Sequence, residues 1–327
     1  MVLRLTEKAK CIVHIPKVLY YWRVHSNSVS MDLGTKQYAV DAAIHAVSEQ
    51  LQRTGETGRV RSNLPYQTIY RIGYDLHNDL ISLLLFDASS QQSVQDCVDR
   101  VCANTDWRPL ELVLEKQDLP ICCPDDVTVT YVSKQSNKAQ TMEAMAQAAS
   151  GKYLCFYSHS LVPENKGWLK EMAMLCQRED VCAVGPKGYD MSDNILFAGL
   201  AWDLEEESKL KELCRGIHRD QQGFEAMLKY VRNVSALHGA CWMVKKQTWQ
   251  ALGGVQGAAK GYETVEFCLK GRQQGLWNVW TPFAECKQSE NQREENLETQ
   301  AFEQVWKGLL REQDPYYHPN LKKLGLL

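Results

Sequence analysis

Short apolar runs alternate with amphipathic helical segments over residues 79–184, and this alternation constrains the fold more than any other feature of the chain. Residues 80–86 form a continuous apolar run, typical of a strand buried on both faces of a parallel sheet. Helical spacing follows over residues 93–102, then a strand pattern over 110–114 and an edge-like alternation over 127–132. This order predicts an α/β fold, in which a mostly parallel sheet is flanked by helices and ligands bind at the carboxyl ends of the strands.

The alternation continues and then becomes less regular. The sequence predicts a helix over residues 139–149, a strand from Tyr153, a helix over 168–178 and a strand over 181–184. Further on, the predicted elements are a helical segment over 224–230, strands over 239–244 and 277–280, helices over 263–272 and 297–310, and a tail over 314–321. Two prolines exclude a helix from that tail.

Residues 1–65 are predicted to form a small strand and helix appendage to the sheet domain, which spans residues 66–327. The apolar and aromatic segment 11–25 is typical of one or two strands that need a neighbour to cover them. Helical spacing over residues 35–54 predicts a helix that ends at Gly55.

The composition excludes several classes of function. A net charge of −3 provides no basic face for nucleic acid. The twelve cysteines are scattered through apolar segments without a Cys-x-x-Cys pair, which is typical of buried thiols in a reducing cytosol. The first ten residues are unlike a signal peptide, and the apolar run 80–86 is too short to cross a bilayer. The sequence therefore predicts a cytoplasmic protein with no transmembrane segment and at most peripheral attachment to the inner face of the cell membrane.

From residue 79 to residue 321 the order of motifs resembles the family 2 glycosyltransferases of the GT-A fold, which are nucleotide-diphospho-sugar transferases. It is most similar to the bacterial rhamnosyltransferase-like enzymes that build surface polysaccharides. The matching segments are residues 81–85, 137–139, 149–153, 167–169, 183–187, 197–199, 239–244, 253–254, 261–270, 281–282 and 314–321. Residues 12–29 resemble the end of a preceding glycosyltransferase domain and residues 36–60 the linker after it, so the chain resembles the second half of a tandem protein.

The resemblance implies a nucleotide-sugar donor, a saccharide acceptor and a Mg²⁺ or Mn²⁺ ion held by acids at the end of the strand that begins at Tyr153. Ser158 and Ser160 occupy those places, with His159 between them. A serine hydroxyl is a poor sole ligand for either ion, because both prefer carboxylate oxygens. A lone histidine at a strand end is more often a surface residue than a ligand. The sequence therefore predicts no metal site, although Ser158 and Ser160 remain candidates for contact with the donor.

The family's nucleotide-binding aspartate falls on Lys116 or Gln117 here. Glu115 and Asp118 lie beside that position, and both are candidate donor-binding residues. Asp87, which follows the first buried strand, is a third candidate.

The family's catalytic base falls on Thr264, which cannot accept a proton near neutral pH. Glu263 and Glu266 are therefore the candidate catalytic residues, and the alternative is that they complement the positive end of the helix dipole. The family's later metal-binding histidine falls on Cys286 or Lys287. Lys287 is a candidate cation for the donor phosphates, or else a solvated surface lysine.

On the acceptor side the candidates are His238, Gly239 and Trp242. The alternative is that the histidine is a satisfied, partly buried side chain and the tryptophan belongs to the core. The acidic run over residues 203–207 is predicted to be a solvated loop.

Two functions remain open from the sequence. The first is transfer of a sugar from a nucleotide-sugar to a growing surface polysaccharide. The second is that of a catalytically inactive pseudo-glycosyltransferase, which acts as a scaffold or carbohydrate-binding partner of an active transferase. In either case the expected protein partner is an upstream glycosyltransferase domain or another polysaccharide-assembly protein. The substituted metal and base positions favour the second function, because function must be argued from the site.

Overall fold

The computed structural model describes residues 2–13, 15, 19–21, 37–62, 69–88, 90–202, 210–289 and 297–317. The chain divides into two compact units, Met1–Asp75 and Leu76–Leu327. The interpretation of residues 1–65 as the end of a preceding domain followed by a linker stays a prediction.

The first unit contains helices α1 (Val2–Thr6) and α2 (Gln37–Thr54) and the antiparallel strands β1 (Gly58–Arg61) and β2 (Arg71–Tyr74). An ion pair between Arg4 and Glu49 at 3.1 Å joins the two helices, and Arg53 contacts Glu7, just after α1, at 2.7 Å. The predicted helix over residues 35–54 is confirmed, and Gly55 ends it with a left-handed φ of 73°. Of the predicted strand segment 11–25, the described residues 11–13, 15 and 19–21 are exposed and form no strand, and the rest lie outside the described residues.

The second unit is built on a ten-stranded sheet. The described residues of this unit form twelve strands, ten of them in the sheet. In chain order they are β3 (Ile81–Phe86), β4 (Leu110–Glu115), β5 (Val127–Val132), β6 (Tyr153–Ser158), β7 (Leu161–Pro163), β8 (Val181–Tyr189), β9 (Ile195–Phe197), β10 (Leu200–Trp202), β11 (Leu210–Glu212), β12 (Arg232–Val234), β13 (Cys241–Lys245) and β14 (Trp277–Gln288). Strands β10 and β11 form a separate antiparallel ribbon. The main path runs β12–β14–β8–β13–β6–β3–β4–β5, with β7 paired to β14 and β9 to β8.

Strands β5, β4, β3 and β6 are parallel neighbours, and β13 is antiparallel to both β6 and β8. The helices are α3 (Gln91–Ala103), α4 (Lys138–Ala148), α5 (Trp168–Cys176), α6 (Lys246–Leu252), α7 (Glu263–Gln273) and α8 (Thr299–Trp306). The α/β fold predicted from the sequence is therefore confirmed. None of the described helices has the length and apolar character needed to cross a bilayer.

Local sequence explains where the first elements lie. Every residue of β3 is buried, as expected for a continuous apolar run in the middle of a parallel sheet. Helix α3 begins after Ser90, whose hydroxyl accepts a hydrogen bond from the Ser93 N–H in a reciprocal capping arrangement. Helix α4 begins after Asn137, whose side chain accepts from the Gln140 N–H. Both caps place a helix start next to the carboxyl end of a strand.

Several elements differ in length from the prediction. Strand β14 continues to Gln288 instead of ending near residue 280, because its second half pairs with β8 and β7. Pro282 is accommodated at an irregularity in the β14–β8 register between Trp280 and Glu285. The closing helix is shorter than predicted, and a 3₁₀ turn at Leu309–Arg311 follows it. The helical segment expected over 224–230 is instead a 3₁₀ turn at Phe224–Ala226. The tail is described as far as residue 317, and its residues 318–321 lie outside the described residues, as does the acidic run 203–207.

Candidate functional site

The carboxyl ends of the parallel strands meet along one side of the sheet. We call this side the carboxyl edge and define it by Asp87 after β3, Lys138 at the start of α4, Ser158 and Ser160 after β6, and His238 before β13. The β3–β6 register places Phe86 opposite Ser158. The Ser158 N–H also donates to the Ala240 carbonyl at 2.7 Å, which brings the loop before β13 to the same place. These strand ends are where ligands bind in open α/β sheets.

The two serines at the end of β6 are buried, at 2% and 1% exposure, and their hydroxyl oxygens lie 3.0 Å apart. The Ser160 carbonyl accepts hydrogen bonds from the N–H and hydroxyl of Ser289 at 2.7 and 2.8 Å. In the part of the chain that the structure describes, no group of three or more His, Cys, Asp or Glu residues is arranged to hold a metal ion. The two serine hydroxyls do not fit Mg²⁺ or Mn²⁺ as a donor set, because both ions prefer carboxylate oxygens.

The three acids expected near the donor lie in different environments. Asp87 has a left-handed φ of 66°, and its carboxylate lies 3.7 Å from the Lys138 ammonium. Glu115 ends β4 and accepts a hydrogen bond from the Thr141 hydroxyl at 3.2 Å, which ties it to the first turns of α4. Asp118 is exposed in the loop after β4. The structure thus brings Asp87 to the carboxyl edge, and it gives Glu115 a structural contact.

The acids at the head of α7 are buried, at 4% exposure each. Glu263 accepts a hydrogen bond from the Gly261 N–H at 3.2 Å, and Glu266 accepts from the Ala259 N–H at 2.8 Å. These bonds hold the loop that leads into the helix, so both acids have a structural function. Their catalytic role stays a prediction.

Thr264, which the resemblance places at the position of the base, faces the loop before β13. A Cβ atom added to Gly239 would lie 3.3 Å from the Thr264 hydroxyl oxygen. The structure therefore brings together the predicted acceptor-side glycine and the position where a base would stand, but the side chain at that position is a neutral hydroxyl.

Lys287 takes part in an ion-pair network at the end of β14. Its ammonium lies 2.9 Å from the Asp193 carboxylate, which Arg219 also approaches to 2.8 Å. Hydrogen bonds from these two cations hold the pKa of Asp193 below its usual range. Arg219 also contacts Glu164 at 3.0 Å. The predicted contact of Lys287 with donor phosphates stays a prediction, and the lysine already has a carboxylate partner.

Trp242 lies in the core and not on the acceptor side. Its side chain has 0% exposure and stacks on Phe156 at a centroid distance of 4.6 Å. Trp249 and Phe267 complete this aromatic cluster. The expectation that Trp242 contacts an acceptor is corrected, because its position on β13 turns the indole toward the helices that cover the sheet, where burial of a large aromatic surface stabilises the fold.

His238 stacks flat on Phe197, with ring centroids 4.4 Å apart and an interplanar angle of 5°. Its Nδ1 atom accepts a hydrogen bond from the Ala240 N–H at 3.1 Å, which leaves Nε2 as the position for the ring proton. Burial, together with the positive charges of Lys138 and Arg215, lowers the pKa of His238 to about 3. The imidazole is therefore neutral at neutral pH.

Glu212, which the sequence analysis did not select, lies beside this histidine. Its Oε1 atom is 3.8 Å from His238 Nε2, and its side chain is 14% exposed. Burial raises the pKa of Glu212 to about 8. The two groups are therefore both neutral near pH 7 and do not form an ion pair. No motif marks residue 212, so nothing in the sequence pattern pointed to it.

None of the known protein-family models matches the chain. The chain is 27% identical over 352 residues to Uncharacterized protein y4gI of Sinorhizobium fredii (strain NBRC 101917 / NGR234), which covers 98% of this chain and 38% of that protein. It is 25% identical over 346 residues to O-antigen biosynthesis protein RfbC of Myxococcus xanthus, which covers 98% of this chain and 26% of that protein. The chain thus spans well under half of the length of these curated relatives.

Among solved structures, the chain is similar to GalNAc-T7 in its crystal structure with UDP, GalNAc and Mn²⁺. The TM-score is 0.51 at 13% sequence identity, and the match covers 70% of this chain and 48% of that one. The class that this architecture defines is the GT-A glycosyltransferase fold, as the motif order implied. Similarity at this identity shows the fold alone.

Proposed function

We propose that this chain is a family 2 glycosyltransferase-like domain of surface-polysaccharide assembly that has lost metal-dependent sugar transfer. In this proposal it binds a nucleotide-sugar or a saccharide and serves an active transferase as a scaffold or carbohydrate-binding partner. The observation that supports the proposal is the serine pair. Ser158 and Ser160 are buried and hydrogen-bonded to each other at the strand end where the resemblance expects metal-binding acids, and no group of three or more His, Cys, Asp or Glu side chains among the described residues is arranged to hold a metal ion.

The arrangement around α7 supports the same proposal. Inverting transfer needs a base that takes the proton of the acceptor hydroxyl. Thr264 cannot do this, and Glu263 and Glu266 accept backbone hydrogen bonds in buried positions. A domain that keeps this fold but has neutral side chains at the metal and base positions is better suited to binding a nucleotide-sugar or saccharide than to catalysing sugar transfer.

The test is a transfer assay on the purified chain with UDP-, dTDP- and GDP-sugars, each with Mn²⁺, Mg²⁺ or EDTA. The proposal expects no metal-stimulated transfer or donor hydrolysis with any of them. Metal-dependent turnover that disappears in EDTA would refute it. Incorporation of the radioactive sugar into oligosaccharide acceptors is the readout.

A second candidate is hexosyl transfer of the rhamnosyltransferase-like kind onto a growing surface polysaccharide. Its support is the match to an O-antigen biosynthesis protein over 98% of this chain. The same assay separates the two candidates, because only the second one predicts a glycosylated product. In that case Glu263→Gln should abolish the product.

The proposal includes a location and a partner. All twelve cysteines are free thiols, and eight of them are buried. Free thiols favour a reducing compartment, so we place the protein in the cytoplasm, peripheral to the inner face of the cell membrane. The proposed partner is an upstream glycosyltransferase domain or another polysaccharide-assembly protein, since the chain spans 38% of one relative and 26% of the other.

A further inference from the structure

An exposed tryptophan lies on the side of the sheet opposite to the carboxyl edge. Trp277 is the first residue of β14 and is 40% exposed. Its N–H donates a hydrogen bond to the Asp180 carbonyl at 2.8 Å, and it pairs with Val181, the first residue of β8. Strand β8 runs in the same direction as β6, because β13 is antiparallel to both. Trp277 therefore lies at the amino ends of these strands, separated from the carboxyl edge by about 20 Å, the length of a six-residue strand.

The ring of Tyr316 stands beside this tryptophan, and we call Trp277 and Tyr316 the aromatic pair. Their ring centroids are 6.2 Å apart, and the ring planes are tilted by 59°. The Arg272 guanidinium lies 5.9 Å from the Tyr316 centroid and 4.8 Å from that of buried Trp202. The buried Asp314 carboxylate accepts hydrogen bonds from the N–H groups of Trp202 at 3.0 Å and Tyr316 at 2.8 Å. These contacts hold Tyr316 in place, so a ligand meets a surface that is already formed and loses less entropy on binding.

A carboxylate lies next to the aromatic pair. Asp180 directly precedes β8, its carbonyl accepts the hydrogen bond from Trp277, and its side chain is 45% exposed. The Arg178 guanidinium donates two hydrogen bonds to this carboxylate, at 3.0 and 2.8 Å. An ionised carboxylate has about four acceptor sites, so Asp180 can also accept a hydrogen bond from a hydroxyl group of a ligand.

The surroundings of the aromatic pair fit a small ligand rich in hydroxyl groups better than a protein partner. Glu179, Gln273 and Gln274 are close to Asp180 or Trp277 in the chain, and all three are polar and exposed. A specific protein interface buries about 800 Å² on each partner around an apolar core, whereas the aromatic pair is a small apolar surface next to polar side chains. A sugar ring has an apolar face of C–H groups, which can pack on an aromatic ring, and hydroxyl groups at its rim.

We propose that Trp277, Tyr316 and Asp180 form a binding site for a neutral saccharide, separate from the carboxyl edge. This inference rests on the saccharide binding included in the proposed function and names the residues that perform it. A sugar ring packs on the Trp277 indole, Tyr316 contacts the edge of that ring, and the Asp180 carboxylate accepts a hydrogen bond from a sugar hydroxyl. The saccharide is neutral in this proposal because an acidic sugar would bring a second negative charge to Asp180.

Nuclear magnetic resonance titration of the isotope-labelled chain with hexasaccharides of glucose, mannose and rhamnose, one at a time, tests the site. The indole N–H signal of Trp277 is assigned by its absence in Trp277→Ala. At least one hexasaccharide is expected to shift this signal in a saturable way. In calorimetry, Trp277→Ala should weaken binding of that saccharide by about tenfold or more, because the stacking surface is lost, and Trp277→Phe should keep much of the affinity.

Two further variants separate the carboxylate from the rings and provide a control. Asp180→Asn keeps the shape of the side chain but removes its charge, so it should weaken binding by about threefold to tenfold. Tyr131→Ala is the matched control, because Tyr131 is also 40% exposed but lies on β5, at the other end of the main path of the sheet. Its affinity for the saccharide should equal that of the native chain.

The outcomes separate this inference from the proposed function. If none of the three hexasaccharides shifts the Trp277 signal, or if one binds the native chain and Trp277→Ala equally well, the inference is overturned, and the transfer assay still decides the proposed function. If the chain shows metal-dependent transfer while Trp277→Ala loses affinity for the saccharide, the proposed function fails and the inference stands. Binding that depends on Trp277 and Asp180, in a chain without metal-dependent transfer, supports both.

Discussion

Because Glu212 is neutral in the folded chain, the free energy of unfolding should fall as pH rises toward 8. Glu212→Gln should remove this fall and leave the contribution of His238 unchanged. A carboxyl with a raised pKa binds its proton in the folded chain after the unfolded chain has released it. The folded state therefore loses stability as pH rises between the ordinary pKa of 4.5 and the folded value of about 8. Glutamine has the same shape and cannot ionise, so this loss should disappear.

The magnitude follows from the two pKa values. Each pH unit in that window lowers the free energy of unfolding by about 1.36 kcal/mol. His238 has the opposite sign, because its pKa falls from 6.5 to about 3, and stability rises with pH through that window. The two contributions cancel between about pH 4.5 and about pH 6.5, and above pH 6.5 only Glu212 acts. Over the next 1.5 units the native chain should lose about 2 kcal/mol through this group.

Urea unfolding at pH 6.5 and pH 8, followed by the fluorescence of the nine tryptophans, measures this difference. Between pH 6.5 and pH 8, the free energy of unfolding of the native chain should fall by about 2 kcal/mol more than that of Glu212→Gln. Glu179→Gln is the matched control, because Glu179 is exposed and the same chemical change there should leave the native profile intact. Equal pH profiles for the native chain and Glu212→Gln would refute the assignment of a protonated Glu212.

Three further substitutions test other parts of the structure. Trp242→Ala removes a fully buried indole and should lower the free energy of unfolding by about 3–5 kcal/mol in urea titrations, whereas a surface tryptophan on an acceptor site would cost little. Glu266→Ala removes the acceptor for the Ala259 N–H and should cost about 1–3 kcal/mol in the same measurement, and a neutral result would contradict the structural function given to this acid. Lys287→Gln breaks the partly exposed ion pair with Asp193 and should lower the midpoint of thermal unfolding only slightly at low salt, because solvent screens such a pair. A large drop in the midpoint would contradict this description of the ion-pair network.

The sequence allowed much of the fold to be predicted because the strands on one side of the sheet are defined locally. Strand β3 is a continuous apolar run and β5 an alternating one, and β5 begins and ends at the residues expected. The length of β14 could not be predicted in this way. Its second half is a strand because β8 and β7 pair with it, and Pro282 in the sequence favours an early end.

The location of the two serines at a strand end could be predicted, because the strand before them is a local apolar run. Ser158 ends β6 and Ser160 follows it, so the sequence alone showed that these two positions provide hydroxyls and not carboxylates. Glu212 was not predictable, because its neutral state depends on burial beside His238 and Phe197, which are distant in sequence. Trp242 was assigned to the wrong side because a strand presents alternate residues to its two faces, and the sequence does not say which face meets the helices.

The central claim is the proposed loss of metal dependence, because Ser158 and Ser160 stand where metal-binding acids are expected and the described residues contain no group of three or more His, Cys, Asp or Glu arranged to hold a metal ion. The most direct test is the dissociation constant for uridine diphosphate, measured by titration calorimetry on the native chain first in EDTA and then in saturating Mn²⁺. We predict that the two constants agree within about threefold, a free-energy difference below about 0.7 kcal/mol. Affinity that increases by tenfold or more on adding Mn²⁺ would contradict the claim.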